Sequence, residues 1–428
     1  MSDDGIDAAT PLMFLKPRRD DKKLISKAPN HFDGLQIGAS DSSSVVEMVK
    51  NVGKPFFIDP MAYMFTLPPE AVTDFETHKV RASLSSLAHR YSSLLGQTIG
   101  KRAISTDDII NQVDVLDDTT RNALEYQRSK ISGQLNLFPM TSYYDKYRLL
   151  DDSEDSKPVT PNAVLPCMVI APYFHFKDTS SPWYTATIRC AKLASRYIQT
   201  GERLYTTLLI DPHLLDFPDQ IRSIITEVAA LSIDGVFIWV NGMDEESAPV
   251  SRLTNLLFLI SELKAKGKSV IKMHGGYFSI LMNSYGLDGF SCNLSYRTSR
   301  NIMSYRWKAP KVPRSKFYVP QLHCAYDIEE AAHILKMFPF TRCRCAVCRE
   351  AYGNDFDKMQ QSMKEKGFCE SHFLNTRKQE LNFTRSGRKD AIAALDTTIS
   401  LLGQHNINGA RHISKWRKTI ADFEALAH

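Results

Sequence analysis

The chain has 428 residues, 43% of them hydrophobic, which allows a large core and either two average domains or one elaborated α/β barrel. Lys and Arg total 53 against 48 Asp and Glu, so at a net +5 any polyanion-binding surface has to come from local clustering and not from overall balance. Residues 1–23 are polar and mixed in charge, unlike a signal peptide, no run is long enough to cross a bilayer, and eight Cys with a metal-like cluster suit a reducing compartment; the expectation is a soluble, cytoplasmic protein without structural disulfides.

In chain order, residues 1–30 read as a flexible lead. Residues 34–38 read as a short buried strand ending in a Ser/Asp-rich loop, a helix follows at 45–51, and 54–58 is an apolar run of strand length that must turn at Asp59-Pro60. From 69 to about 162 the pattern becomes helical, with long segments at 80–95 and 106–134 and an acidic loop at 151–155. This reads as a helical insertion without a ligand or nucleophile motif of its own.

Strand-like runs return at 165–170, 204–210, 235–240, 269–273, 289–294 and 317–320, most of them separated by amphipathic segments such as 220–231 and 252–266. With the first two they make eight, and βα alternation of this kind predicts an α/β fold with a parallel sheet, a (β/α)8 TIM-type barrel over 31–340. An open doubly wound sheet is the competing architecture, but no Gly-x-Gly-x-x-Gly follows any strand to support dinucleotide binding. Residues 341–428 read as a metal-binding subdomain with C-terminal helices.

In such a barrel the reactive residues sit at the C-terminal ends of strands, and here those ends carry Asp59, Tyr173, Asp211, Asn241, His274 and Ser291-Cys292. Asp59 and Asp211 both follow apolar runs and both precede Pro, which leaves two readings open for each. Either the carboxylate projects into the mouth of the barrel, or it simply accepts backbone N–H groups at a turn. Seven cations in the twenty residues 297–316, among them Arg297, Arg300, Arg306 and Lys308, are interleaved with Tyr296, Tyr305 and Trp307, as a phosphate-and-stacking surface for nucleic acid requires. A merely solvated face is the alternative.

Three thiols on one tight turn, Cys343-Arg-Cys345-Ala-Val-Cys348, followed by His372, suit a tetrahedral zinc ion in a closed, structural site. Cys369 lies close enough in sequence to replace His372 as fourth ligand. This ligand order resembles the zinc motif of the tRNA-guanine transglycosylase superfamily, whose members exchange a base in a polynucleotide, and the resemblance favours His372. The likeness extends to Ile233–Glu245, similar to the family's strand with a glycine-rich, base-contacting loop. It extends also to Gly286-Leu-Asp-Gly-Phe-Ser-Cys292 with Arg297-Thr-Ser-Arg300, similar to the family's Gly-Ile-Asp-x-Phe-Asp-Cys segment and its Arg pair.

Three departures qualify it. Ser291 stands where the family has its Asp nucleophile, no Thr-Asp-Ser-Gly-Gly stretch is recognisable, and Met168–Tyr173 lacks the family's base-recognising Asp. The resemblance therefore implies the divergent DNA-acting paralogues that insert 7-deazaguanine derivatives, with structural zinc, a free 7-deazapurine base as co-substrate, DNA as the polymer and accessory modification proteins as possible partners. In this reading Asp59 and Asp211 are the relocated catalytic carboxylates, a pair suited to an oxocarbenium-like transition state. Asn241, Gly242, His274 and Tyr173 wall the purine pocket by amide, backbone, imidazole and stacking contacts. A tRNA-acting enzyme with rearranged carboxylates and a non-catalytic nucleic-acid-binding subunit of the same fold are the two rivals.

Overall fold

The computed structural model describes residues 12–17, 21–74, 76–129, 166–294, 298–306, 316–383, 388–405 and 410–426. Nine short strands, apolar on both faces as buried parallel strands must be, form its centre. They are β1 (Leu12–Leu15), β2 (Gly34–Gly38), β3 (Phe56–Asp59), β4 (Val169–Ile170), β5 (His175–Phe176), β6 (Leu204–Ile210), β7 (Gly235–Val240), β8 (Ser269–Lys272) and β9 (Gly289–Cys292). All their pairings are parallel, in the order β3-β2-β1-β9-β8-β7-β6-β4, with β5 also on β6. The two ends of this path meet where the Cys167 N–H donates to the Phe56 carbonyl at 2.7 Å. With β4 and β5, which both pair with β6, counted as one position, the result is a nearly closed barrel of eight parallel strands with helices between them.

The strand count is the one expected, but its membership differs in two places. The stretch read as a flexible lead contains β1, which sits inside the sheet path between β2 and β9. The run at 317–320, read as the eighth barrel strand, is β10 (Lys316–Val319), which pairs antiparallel with β11 (Cys324–Asp327) in a separate ribbon. Both differences have one cause. A four-residue apolar run has no periodicity to separate a barrel strand from a ribbon or a tail; only the pairing decides.

Alternation along the strands divides the core in two. Phe14, Phe57, Tyr205, Leu209, Phe237, Trp239, Ile271 and Met273 point inward and fill the barrel, whereas Leu15, Leu208, Ile210, Val236 and Ile238 face the surrounding helices. The interior is an aromatic plug, with Phe14 on Phe57 at 5.2 Å, Phe57 on Phe237 at 4.7 Å and Tyr205 on Phe237 at 5.4 Å between ring centroids. Such rings leave no room beside them: a Cβ on Gly235 would stand 2.2 Å from the Tyr205 ring.

The insertion between β3 and β4 is helical where it is described, with helices at Pro69–Val72, Ala82–Tyr91, Ser93–Thr98, Thr106–Ile110 and Val113–Ser129. The acidic loop at 151–155 lies outside the described residues. Gln127 reaches from the last of these helices to β4, accepting from the Ile170 N–H and donating to its carbonyl, both at 2.8 Å. The insertion is thus bonded to the barrel wall. No helix among the described residues is long and apolar enough to cross a membrane.

Candidate functional site: the barrel mouth and a Cys3His cluster

Inward parity carries the polar residues of the mouth. Phe14 is inward and stands opposite Ser291 in the β1–β9 register, so Lys16, two residues on, projects above Ser291. The Lys16 N–H to the Cys292 carbonyl, at 2.8 Å, continues that ladder past the strand end. Phe57 is inward, and so is Asp59. Tyr63 meets Tyr173 at 5.7 Å in a tilted pair, Tyr63 meets Trp239 at 5.2 Å, and Trp239 meets His274 at 4.9 Å, making an aromatic collar above the plug.

Asp59 is fully buried, and its two oxygens differ. Oδ1 accepts from the Met61 N–H at 3.0 Å and from the Tyr173 hydroxyl at 2.7 Å, whereas Oδ2 is shielded from solvent with no hydrogen-bond partner among the described residues. The turn-capping role expected of an Asp-Pro step is therefore real but uses one oxygen only. Lys16 Nζ, the Tyr63 hydroxyl and His274 Nε2 are likewise buried without a hydrogen-bond partner among the described residues. Buried polar groups are nearly always satisfied, so a concentration of such donors and acceptors makes the barrel mouth the candidate site.

The electrostatics follow from burial. Desolvation, reinforced by Arg300 and opposed by Asp59 and Asp41, brings the Lys16 ammonium down to about 7. Desolvation, with Lys16, Arg300 and Lys272 adding to it, holds His274 well below the ordinary histidine range, so its imidazole is neutral. Desolvation also raises the Tyr63 and Tyr173 hydroxyls, which stay protonated.

His274 owes its place to strain and scaffolding. Its φ of 59° is left-handed, and its N–H donates to the Ser291 hydroxyl at 3.1 Å while its carbonyl accepts from Lys272 Nζ at 3.1 Å. Lys272 in turn pairs with the buried Glu245 at 2.8 Å, and Glu245 accepts from the Gly276 N–H at 2.9 Å and from the Ser279 hydroxyl. Ser291 is thus a backbone acceptor holding the His274 turn. Ser291→Ala is expected to lower stability by about 1–3 kcal/mol, the scale of an orphaned buried donor, and to leave any activity of the mouth within a few-fold; thermal unfolding and turnover measured side by side check it.

The remaining expected residues divide. Asp211 ends β6, but its Oδ1 accepts from the His213 N–H at 2.9 Å and its Oδ2 lies 3.9 Å from His175 Nε2. Those partners share no residue with the partners of Asp59. Tyr173 is fully buried with its hydroxyl on Asp59, so it positions the carboxylate and offers no free face for stacking. Asn241 and Gly242 fasten the segment 298–306 across the mouth: Asn241 Oδ1 accepts from the Ile302 N–H at 2.9 Å, and the Gly242 backbone N–H and the Trp239 indole N–H donate to the Arg300 carbonyl at 3.0 and 3.1 Å. The Arg300 guanidinium lies over the Trp239 ring at 5.9 Å. Arg297 and Lys308 lie outside the described residues; Arg306 ends the 3-10 turn Ile302–Arg306.

Sequence reasoning missed Lys16, Tyr63 and His175. The signal for Lys16 existed, since it directly follows the apolar run Leu12–Leu15, the position at which a barrel strand delivers its side chain to the mouth.

The second centre is the cluster of Cys343, Cys345, Cys348 and His372, all buried, with ligand atoms within 4.8 Å of one another. His372 Nδ1 is 3.2 Å from the Cys348 sulfur and 3.5 Å from that of Cys345, while its Nε2 bonds the Tyr318 carbonyl at 2.7 Å. That outer bond makes Nε2 the N–H and leaves Nδ1 as the lone-pair ligand, the usual support of a metal-bound histidine. Phe317 stacks on the same ring at 4.2 Å. Cys369 is out of the cluster, its thiol pointing to the Met363 carbonyl at 3.2 Å and pushed up to about 12 by burial. Three sulfurs and an imidazole so close and so buried can hold a metal ion, and three thiolates there need its positive charge.

Compared with known proteins, the chain matches no family model and no curated protein.

Proposed function

We propose that the barrel mouth exchanges a guanine in DNA for a free 7-deazapurine base, and that the Cys3His cluster holds a structural zinc ion. The observation that carries the reaction is Asp59, buried at the end of β3 with one oxygen tied by two donors and the other bare. A carboxylate held in that way is oriented for attack on a sugar C1′, its free oxygen having no competing partner to surrender. The motif resemblance at 233–245, 286–292 and 343–372 supplies the substrate class. Ser291, engaged as a backbone acceptor, favours the divergent DNA-acting branch over the tRNA enzymes with their Asp at that step.

Zinc fits the donor set: three soft thiolates and one imidazole give four ligands and leave no open position. Its part is to hold β10, β11 and the helix Phe368–Phe383 together, outside the barrel mouth.

Segment 298–306 lies across the mouth, with Ile302 packed into the interior cluster, so a base reaching Asp59 has to shift it. Arg300 on that segment is placed to meet the phosphates of an entering strand. Arg300→Ala is expected to weaken nucleic-acid binding and to reduce the salt slope by about one phosphate contact; titrations at several salt concentrations read it.

The test of the function is a base-exchange assay on purified full-length protein with labelled guanine or a labelled 7-deazapurine, against DNA and tRNA separately. Incorporation into DNA supports the proposal, incorporation into tRNA alone replaces the polymer, and binding with no exchange into either leaves a nucleic-acid-binding subunit.

A further inference from the structure

We propose that Lys16 is the proton-transfer group of this exchange, protonating the guanine that leaves and deprotonating the base that enters. The inference rests on the base-exchange reading of the same mouth and adds the partner that Asp59 lacks. A double displacement needs one group at the sugar carbon and another that moves a proton in each direction. Asp211 is a poor second group, with Oδ1 held in its own turn and Oδ2 facing His175. Ser291 is engaged by the His274 N–H, and Tyr173 is engaged by Asp59.

Lys16 meets the requirement by geometry. It leaves β1 on the inward face, one layer above Ser291, and its Nζ is buried without a hydrogen bond although the residue as a whole is partly exposed. The charged and titratable groups that act on it are Arg300 from the segment after β9, Asp59 from β3, Asp41 from the turn after β2, and His274 from the turn after β8. Burial and Arg300 push the amine down and the two carboxylates hold it up, with a balance at about 7. An amine so poised has both forms populated at neutral pH, as a group that gives a proton in one half-reaction and takes one in the other requires.

The step balances. In the first half Asp59 Oδ2 bonds to C1′, the C1′–N9 bond breaks with its electron pair going to guanine, and the Lys16 ammonium gives N9 a proton. In the second half the neutral Lys16 amine takes the N9 proton of the incoming base, whose N9 bonds to C1′ as the ester C1′–O bond breaks. Carboxylate and ammonium are restored.

A pH signature follows. The kcat/KM for nucleic acid needs the ammonium and should fall as pH rises through about 7. The kcat/KM for the free base needs the amine and should rise with pH, its midpoint lower, since ester formation at Asp59 removes a negative charge that holds the Lys16 pKa up.

The experiment uses the zinc-loaded full chain and measures both profiles in wild type, Lys16→Met and Lys16→Arg. Both variants are expected to lose at least about 10²-fold in exchange and to lose the two opposed limbs, the Arg variant because it keeps the charge without the titration. Either variant exchanging at near the wild-type rate, or slowed with both limbs intact, overturns the role of Lys16 while leaving the base-exchange reading in place. Wild type failing to exchange into DNA or tRNA removes that reading and this proposal with it. Should the variants not fold, pH-dependent acetylation of Lys16 followed by mass spectrometry still decides on wild type and on Asp59→Asn. A midpoint near 7 that drops in Asp59→Asn supports the assignment, and a midpoint near the ordinary lysine value of about 10.4 overturns it.

Discussion

Cys345→Ser is expected to abolish metal binding and to cost several kcal/mol of stability. Cys345 is at the centre of the cluster: its sulfur accepts from the Cys348 N–H at 3.4 Å and lies 3.5 Å from His372 Nδ1, and its own N–H donates to Cys343 at 3.3 Å. The binding free energy of a structural zinc is folding free energy, on the order of 10 kcal/mol for small zinc modules, and a serine hydroxyl is a far weaker ligand than a thiolate. Without the ion, His372 and the hairpin carbonyl of Tyr318 lose the charge that organises them, so the ribbon β10–β11 and the helix Phe368–Phe383 should loosen first. Cys369→Ser is the control, since the Cys369 thiol donates to the Met363 carbonyl and is not one of the four ligand groups. Metal analysis and a thermal scan of the three proteins check the expectation; wild type purified without chelator and carrying no zinc would sink it.

The fold class was legible because a buried parallel strand is apolar throughout and the amphipathic helices between strands keep a different period, so the alternation of the two survives in the bare sequence. The long strands β6 and β7 stand where they were expected, at Leu204–Ile210 and Gly235–Val240. β1 was hidden because four apolar residues followed by Lys-Pro-Arg-Arg carry no period, and its strand nature comes from the neighbours β2 and β9, which are distant in sequence. The metal cluster was legible from spacing, because three ligands on one turn are local chemistry. The mouth was legible only in part. Asp59 and His274 could be placed at strand ends, but that Asp59 has a bare oxygen, that Asn241 is spent on Ile302 and that Ser291 holds a backbone turn are facts of the third dimension. The expected carboxylate pair shows the same limit. Asp59 and Asp211 look alike in sequence, each before a proline, yet the barrel gives one a buried free oxygen and the other a partly exposed place beside His175.

That difference makes the last prediction a comparison. Asp59→Asn is expected to bind zinc and fold, because the amide oxygen can still accept from Met61 and Tyr173, yet to lose base exchange by at least about 10²-fold. In the proposed exchange it would lose the attacking oxygen and the negative charge that an oxocarbenium-like transition state draws on. Asp211→Asn keeps the contact to the His213 N–H and removes a charge facing His175, whose ionisation burial disfavours and Asp211 favours. It should therefore cost less than Asp59→Asn and act through the rim. An adduct between protein and DNA, trapped by denaturing wild type during turnover, should form with Asp211→Asn and be missing from Asp59→Asn. The reverse pattern would put the nucleophile on β6, and a fully active Asp59→Asn would mean that the bare oxygen in the barrel mouth serves binding and not bond cleavage.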